Sequence, residues 1–328
     1  MKSTKPKFET RSMYRDRRLA EGHPELARGY LETFPTNLDH QPDGTPRIDR
    51  LLNCMDRVTD ARPRKDVLVV GCGPRPETMR VLKNRGYRVT GVDPVPGFVK
   101  GAEEYLGGSN EVVQGWAEAL PLPDSSQDLI LCESVLEHVG SPRAALVEMH
   151  RALRPGGIAF VITTNRLRFH LLGRNGEYNV PFFNWLPPML QESYVFRHLH
   201  YDPTLASYST HPAVHWFTFA ELCRLGRECG FERFYSLLDL LLPEGPFAHG
   251  TCWKRRLVKA LQHSAWLRAL ALTQTGGVIV MFKPNTNGAV NGSLHKRERL
   301  DVKSDSIERL HLRPDEPTSP SGHPFERK

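Results

Sequence analysis

From Asp66 to Thr163 the chain alternates short apolar runs with longer stretches of helical character, and this rhythm constrains the fold more than any other feature. DVLVV (Asp66–Val70) is apolar almost throughout, as suits a strand buried on both faces of a parallel sheet. A helix is predicted next over Pro76–Arg85. Pro76 suits a first helical position, Glu77 the first turn, Lys83 and Arg85 the last turn, and Gly86 the stop. YRVTGVD (Tyr87–Asp93) reads as a second strand, FVKGAEEYL as the next helix, EVVQG (Glu111–Gly115) as a third strand and DLILCE (Asp128–Glu133) as a fourth. Ser141-Pro142 opens a helix that runs to Leu153 and closes at Arg154-Pro155-Gly156-Gly157; IAFVIT (Ile158–Thr163) is the fifth strand. Strands separated by helices of ~10–15 residues are βαβ units, which imply a parallel sheet with helices on both faces.

Residues 165–215 interrupt that rhythm with aromatic, His and Pro residues, and they read as an insertion after the fifth strand. Order returns at Thr218, where T-F-A-E forms a capping box with Phe217 and Leu222 placed as its staple. FERFYSLLDLLL (Phe231–Leu242) is then expected as a sixth strand, Trp253–Leu272 as a basic helix and GGVIVMF (Gly276–Phe282) as a seventh strand. Upstream, Leu26–Phe34 and Arg47–Val58 suit short helices around a Pro- and Asp-rich loop. The expected organisation is a basic arm over 1–23, a helical segment over 24–65, one domain over 66–284 with 165–215 as its substrate-side insertion, and a polar, disordered tail over 285–328.

Composition narrows the class. A chain of 328 residues with 39% hydrophobic and 25% charged residues is a globular protein, which excludes collagen-like, disulfide-rich and wholly disordered chains. No apolar run reaches the ~18–20 residues of a membrane span. The basic start MKSTKPKFETRSMYRDRR has no apolar stretch after it, so no secretory signal is expected and a cytoplasmic placement follows. Six cysteines include no C-x-x-C pair and suit reduced thiols. Among the histidines only His198-x-His200 is closely spaced, without a repeating acidic partner, so no metal is expected. The net charge of +7 is uneven: residues 66–165 hold 9 Lys and Arg against 12 Asp and Glu, whereas 166–284 hold 13 against 8. An acidic central half argues against nucleic acid as partner.

The chemistry concentrates at the strand ends. In VVGCGPRPE, Gly71 and Gly73 allow a sharp turn and close backbone approach to a ligand, beside a helix N-terminus that offers free N–H groups. A dinucleotide fingerprint would need glycine at position 76, where Pro76 stands. Asp93 ends the second strand, where an acidic side chain accepts hydrogen bonds from ribose hydroxyls; the alternative role is a strand-end cap.

With these residues in place, the ordered set VLVVGCG, VTGVDP, VVQGWAEALPLPDSSQDLILCES, LEHV and LRPGGIAFVITT resembles the class I S-adenosylmethionine-dependent methyltransferases of type 11, related to the ubiquinone and menaquinone methyltransferases. The likeness runs from Asp66 to Asn165 and more loosely to Pro284. It implies a Rossmann-like, doubly wound α/β fold with a seven-stranded sheet whose last strand is antiparallel. It implies S-adenosyl-L-methionine as cofactor, with Gly71 and Gly73 at its methionine end, Asp93 on the ribose, Trp116, Ala117 and Glu118 flanking the adenine, and Glu133 through His138 bordering the sulfonium and the acceptor. Two positions depart from the family: Arg75 replaces a third glycine, and Trp116 replaces an acid that would bond the adenine amine. TTNR, NWLPPML and a following Tyr also resemble, more loosely, methyltransferases of glycan and lipid-intermediate biosynthesis.

The expected reaction is transfer of a methyl group to O, N or C of a small-molecule or lipid- or glycan-linked acceptor. A general base is needed only for a hydroxyl or carbon acid, and His138, Tyr178 and His215 are the candidates. The helix Trp253–Leu272 carries Lys254, Arg255, Arg256, Lys259 and Arg268, which suits either a helix covering the sheet with a solvated basic face or peripheral contact with an anionic membrane. Two rival functions remain: a non-catalytic module of this family at a membrane surface, and a nicotinamide oxidoreductase, which Pro76 disfavours.

Overall fold

The computed structural model describes residues 48–49, 51–52, 65–108, 110–168, 180, 183–187, 190, 194, 213, 215–240 and 252–285, with backbone only at 184, 252–255, 258 and 262. The expected arm over 1–23, nearly all of 24–65, most of the insertion including Tyr178, and the tail beyond Asn285 lie outside the described residues.

The order of elements is β1 (Asp66–Val70), α1 (Glu77–Asn84), β2 (Arg88–Asp93), α2 (Pro96–Tyr105), β3 (Val112–Gln114), β4 (Gln127–Glu133), α3 (Pro142–Ala152), β5 (Leu153–Ile162), α4 (Phe219–Glu228), β6 (Arg233–Ser236), α5 (Leu237–Leu240), α6 (Cys252–His263), α7 (Ala265–Thr275) and β7 (Val278–Phe282). Seven strands form one sheet in the order β3-β2-β1-β4-β5-β7-β6. β1 pairs in parallel with β2 and β4, and β4 with β5, while β7 runs antiparallel to both β5 and β6. The doubly wound sheet with an antiparallel last strand is therefore as expected. Its order reverses at β1: the chain winds outward through β2 and β3, then returns to β4 on the other side. The crevice above the ends of β1 and β4 is the switch point where such sheets bind ligands.

Alternation along the strands divides the core into two. Leu68, Val70, Ile130, Cys132, Ala159 and Val161 share one face with Leu146 and Met149 of α3 and Leu222 of α4. Val67, Val69, Leu129, Leu131, Ile158 and Phe160 share the other with Met79 and Leu82 of α1 and Ala102 of α2. Ile48 and Leu52, in a helical stretch, add to that second face. Each such side chain, taken fully out of water, contributes about 1.5–3 kcal/mol.

Three elements differ from the sequence reading. The fifth strand begins at Leu153, not Ile158: Leu153 pairs with Gln127 and Ile158 with Leu129, so residues 154–157 bulge. Arg154 causes this, since its Nη1 lies 2.8 Å from both Asp66 Oδ2 and Asp128 Oδ1 and holds the chain at the sheet's lower edge. The sixth strand stops at Ser236, because Asp239 accepts hydrogen bonds from the Ser236 N–H and Oγ, each at 2.7 Å, and starts the helical turn α5. The basic helix breaks at Ser264, whose Oγ accepts from the Leu267 N–H at 3.4 Å and caps a second helix. α6 and α7 pack chiefly on each other and on α5, and no residue of α7 is fully buried. With α5 they make a small helical cap, and Asn165, just past β5, holds the end of α7 through the carbonyls of Leu272 and Thr273.

Candidate functional site

Above β1 the chain turns through Gly71-Cys72-Gly73. Gly71 and Gly73 have φ of +67° and +65°, a left-handed conformation that favours glycine. The N–H of Gly71 is held by the Val92 carbonyl at 2.8 Å. A Cβ on Gly71 would sit 2.3 Å from Cγ2 of Val135, whereas one on Gly73 would meet nothing within 4 Å. Gly71 therefore serves both the turn and the approach of the loop after β4; Gly73 serves the turn alone.

Asp93, 5% exposed at the end of β2, fixes this turn. Its Oδ2 accepts the Gly73 N–H and its Oδ1 the Val95 N–H, both at 3.0 Å. Burial raises its pKa to about 6, against the opposing pull of the two amides. Each oxygen keeps a further lone pair for another donor. Burial and the Asp93 charge push the neighbouring Cys72 thiol far up, so it stays protonated.

The loop after β3 closes the second wall. Gly115 donates to the Asp93 carbonyl at 3.1 Å, and Trp116 and Ala119 bridge across a tight turn. Glu118 Oε1 then accepts the N–H groups of Gly140 and Ser141 at 2.8 and 3.3 Å. This carboxylate ties the loop after β3 to the loop after β4. The third wall begins at Ser134, a non-glycine residue with φ of +53°, whose N–H bonds the Ile162 carbonyl. The turn Leu136–His138 follows, with His138 N donating to the Val135 carbonyl at 2.9 Å.

These walls line a half-open cleft whose cavity volume is about 60 Å³. Gly71, Trp116, Ala117, Glu118 and His138 line it together with Val135 and Gly140. Gly73 and Asp93 adjoin the cleft through Gly71 and Pro94 without lining it. Glu133, half-buried at the end of β4, is not among the lining residues. Nor is His215, which is buried with its ring 6.2 Å from Phe217 and its Nε2 2.9 Å from the Val139 carbonyl. A carbonyl only accepts, so Nε2 carries the proton and supports the loop after β4 from outside the cleft.

Several residues support this loop in a role that the sequence did not assign to them. Glu137, 1% exposed, accepts the Thr163 hydroxyl at 2.7 Å, and the Glu137 carbonyl accepts the His215 N–H at 3.2 Å. Thr164 Oγ1 donates to the His215 carbonyl at 3.1 Å. Asn165 Nδ2 donates to the carbonyls of Leu272 and Thr273, which anchors the end of α7 at the same sheet edge. The strings LEHV and TTN carry these residues, but only the fold brings them together. Among the described residues no three His, Cys, Asp or Glu side chains gather as metal ligands.

A family profile described as a methyltransferase domain matches residues 68–161. Over 141 residues the chain is 33% identical to a ubiquinone biosynthesis O-methyltransferase of Idiomarina loihiensis, covering 42% of this chain and 57% of that one. It is 32% identical over 103 residues to a malonyl-[acyl-carrier protein] O-methyltransferase of Serratia marcescens, covering 31% and 40%. It is 38% identical over 102 residues to an uncharacterised 37.1 kDa protein of a Streptomyces fradiae transposon, covering 30% of each. The matched part thus spans well under two thirds of these relatives. The profile covers β1 through most of β5, the elements that build the cleft. Residues 68–161 are thus similar to a methyltransferase domain over the elements that build the cleft.

Proposed function

We propose that the chain transfers the methyl group of S-adenosylmethionine to an oxygen, nitrogen or carbon nucleophile on a small-molecule or lipid- or glycan-linked acceptor. The observation that carries this reading is the cleft at the switch point, where Gly71 yields to Val135 and where Trp116, Glu118 and His138 converge.

The residues fit such a cofactor on two counts. The Asp93 carboxylate is held by the amides of Gly73 and Val95 at the edge of the cleft, and no Lys or Arg stands among the lining residues to repel a cation. Gly71 and Gly73 would hold the methionine end, Asp93 the ribose, and Trp116 through Glu118 the adenine. The Trp116 ring offers stacking where relatives of this family hold an acid. Bound there, the cofactor supplies an electrophilic methyl group on a cationic sulfonium. Asp93 accepts hydroxyl protons only while ionised, and its amide bonds keep its oxygens oriented. Glu118 keeps the two loops at a fixed separation. His138, on the cleft wall, is the residue placed to take a proton from a hydroxyl or carbon acid. Alignment of the acceptor is the larger effect, worth up to ~7–11 kcal/mol in well-oriented systems. The named activities of two relatives as O-methyltransferases support an oxygen acceptor first.

Calorimetry with S-adenosylmethionine tests the reading. Saturable binding that weakens at least tenfold in Asp93→Ala is expected, since a buried carboxylate acceptor of charge-assisted bonds is lost. Absence of binding at millimolar cofactor, or binding of a nicotinamide cofactor in its place, would overturn it. A subsequent screen of extract with methyl-labelled cofactor identifies the acceptor.

A further inference from the structure

The small helical cap has a surface that the methyl-transfer reading does not use. Along α7, Ala265, Trp266, Leu267, Ala269 and Leu270 are all exposed, with Trp266 at 87% and Leu270 at 66%. Trp266 and Leu270 are one turn apart and share a stripe. The polar residue of that stretch, Arg268, turns the other way: it grips both carboxylate oxygens of Asp239 and reaches Ser236 Oγ at 3.4 Å.

The charge around this face points to its occupant. From Cys252 to Thr275 the chain has Lys254, Arg255, Arg256, Lys259 and Arg268 and no Asp or Glu. Arg268 is paired, and Arg256 and Lys259 are exposed on α6 beside the 47% exposed Leu257. A protein partner of mixed charge has no use for such one-sidedness. An anionic bilayer has: Trp and Leu enter the headgroup boundary while Lys and Arg meet lipid charge, and Trp favours that boundary in particular. Asn165 anchors the end of α7 just past the end of β5.

We propose that the outward face of α6 and α7, led by Trp266 and Leu270, docks the protein reversibly on an anionic lipid surface. Docking needs no cofactor and stands apart from the methyl-transfer reading.

Co-sedimentation of the full chain with phosphatidylcholine vesicles, with and without phosphatidylglycerol, tests it. Binding is expected only with phosphatidylglycerol present, weakening as salt rises. Trp266→Ser with Leu270→Ser should weaken it more than tenfold, as two large apolar groups no longer leave water. Arg256→Gln and Lys259→Gln should each weaken it about fivefold. Cofactor binding by calorimetry should be unchanged in all of these variants, which confirms that they fold and separates failure of docking from failure of the cleft. Lack of co-sedimentation, or co-sedimentation indifferent to Trp266 and Leu270, would overturn the proposal. So would a concentration-dependent dimer abolished by Trp266→Ser, which would assign the face to a second copy, or protection of Trp266 from a water-soluble quencher in the lipid-free protein.

Discussion

The sheet is finished differently at its two functional ends. Around β1 and β4 the side chains are sealed from both sides: Leu68, Ile130 and Leu131 have no measurable exposure. The loops above them are stitched by carboxylates to backbone amides, Asp93 to Gly73 and Val95, and Glu118 to Gly140 and Ser141. At the α5–α7 end, the ties among the described residues include the Arg268–Asp239 ion pair and the Asn165 amide on the Leu272 and Thr273 carbonyls, and α7 buries nothing completely. The first region holds a single geometry, as a ligand cleft must. The second leaves apolar surface in water, which folding alone does not favour and contact with a partner explains.

Mutations break the comparison in order of size. The largest effect belongs to the sealed half. Leu131→Ala leaves a void between β4 and the α1 side of the core and should lower unfolding free energy by about 2–5 kcal/mol in urea titration. Gly71→Ala comes next. It adds a left-handed alanine, about 1–2 kcal/mol, to a contact with Val135 that must relax, about 1–3 kcal/mol. Gly73→Ala suffers the first effect only, so the difference between the two variants measures the closeness of Val135. Equal destabilisation would mean that the loop after β4 moves away freely.

Asp93 gives a test with two signs. Its pKa rises from 3.8 to about 6 on folding, chiefly through burial. The folded state therefore takes up a proton between those values, and the stability this group contributes is present below pH 4 and lost as pH rises through about 6. Ribose recognition runs the other way, because only the carboxylate accepts both hydroxyls. Cofactor affinity should thus fall about fivefold between pH 6 and pH 5, as the ionised fraction drops from about one half to about one eleventh. Asp93→Asn should flatten both trends. Two slopes of the same sign would place the titrating group elsewhere.

The same contrast governs what the sequence revealed. β1, α1 and β2 announce themselves because their causes are local: an apolar run, Pro76 before Glu77, and Gly86 after the helix. The bulge in β5 was hidden because its cause, Arg154 on Asp66 and Asp128, spans 88 residues of chain. Glu118 was legible as a cleft residue through a family likeness, yet its bond to Gly140, 22 residues on, was not. The end of β6 was legible in principle, since Ser236-x-x-Asp239 is a capping pair; the run of leucines outweighed it. The break at Ser264 was not read from the pattern, because Trp253–Leu272 suits one continuous helix and the Ser264 cap alone divides it.

The cap should respond weakly to the same treatments. Removing its ion pair by Arg268→Gln leaves the Asp239 carboxylate half-buried with Ser236 as its remaining partner. About 1 kcal/mol is expected, confined to α5–α7 and seen as faster amide hydrogen exchange there than in β4.

Trp266→Ser is the smallest and the most telling change. Because 87% of the ring is exposed, the folded protein forgoes almost no burial when it is lost, and the change in unfolding free energy should stay within about 0.5 kcal/mol. A tryptophan at a position where stability does not require it is what a contact surface looks like before contact. A loss above 1 kcal/mol would show that the ring packs against the protein itself, and the two ends of the sheet would then be alike in how they are held.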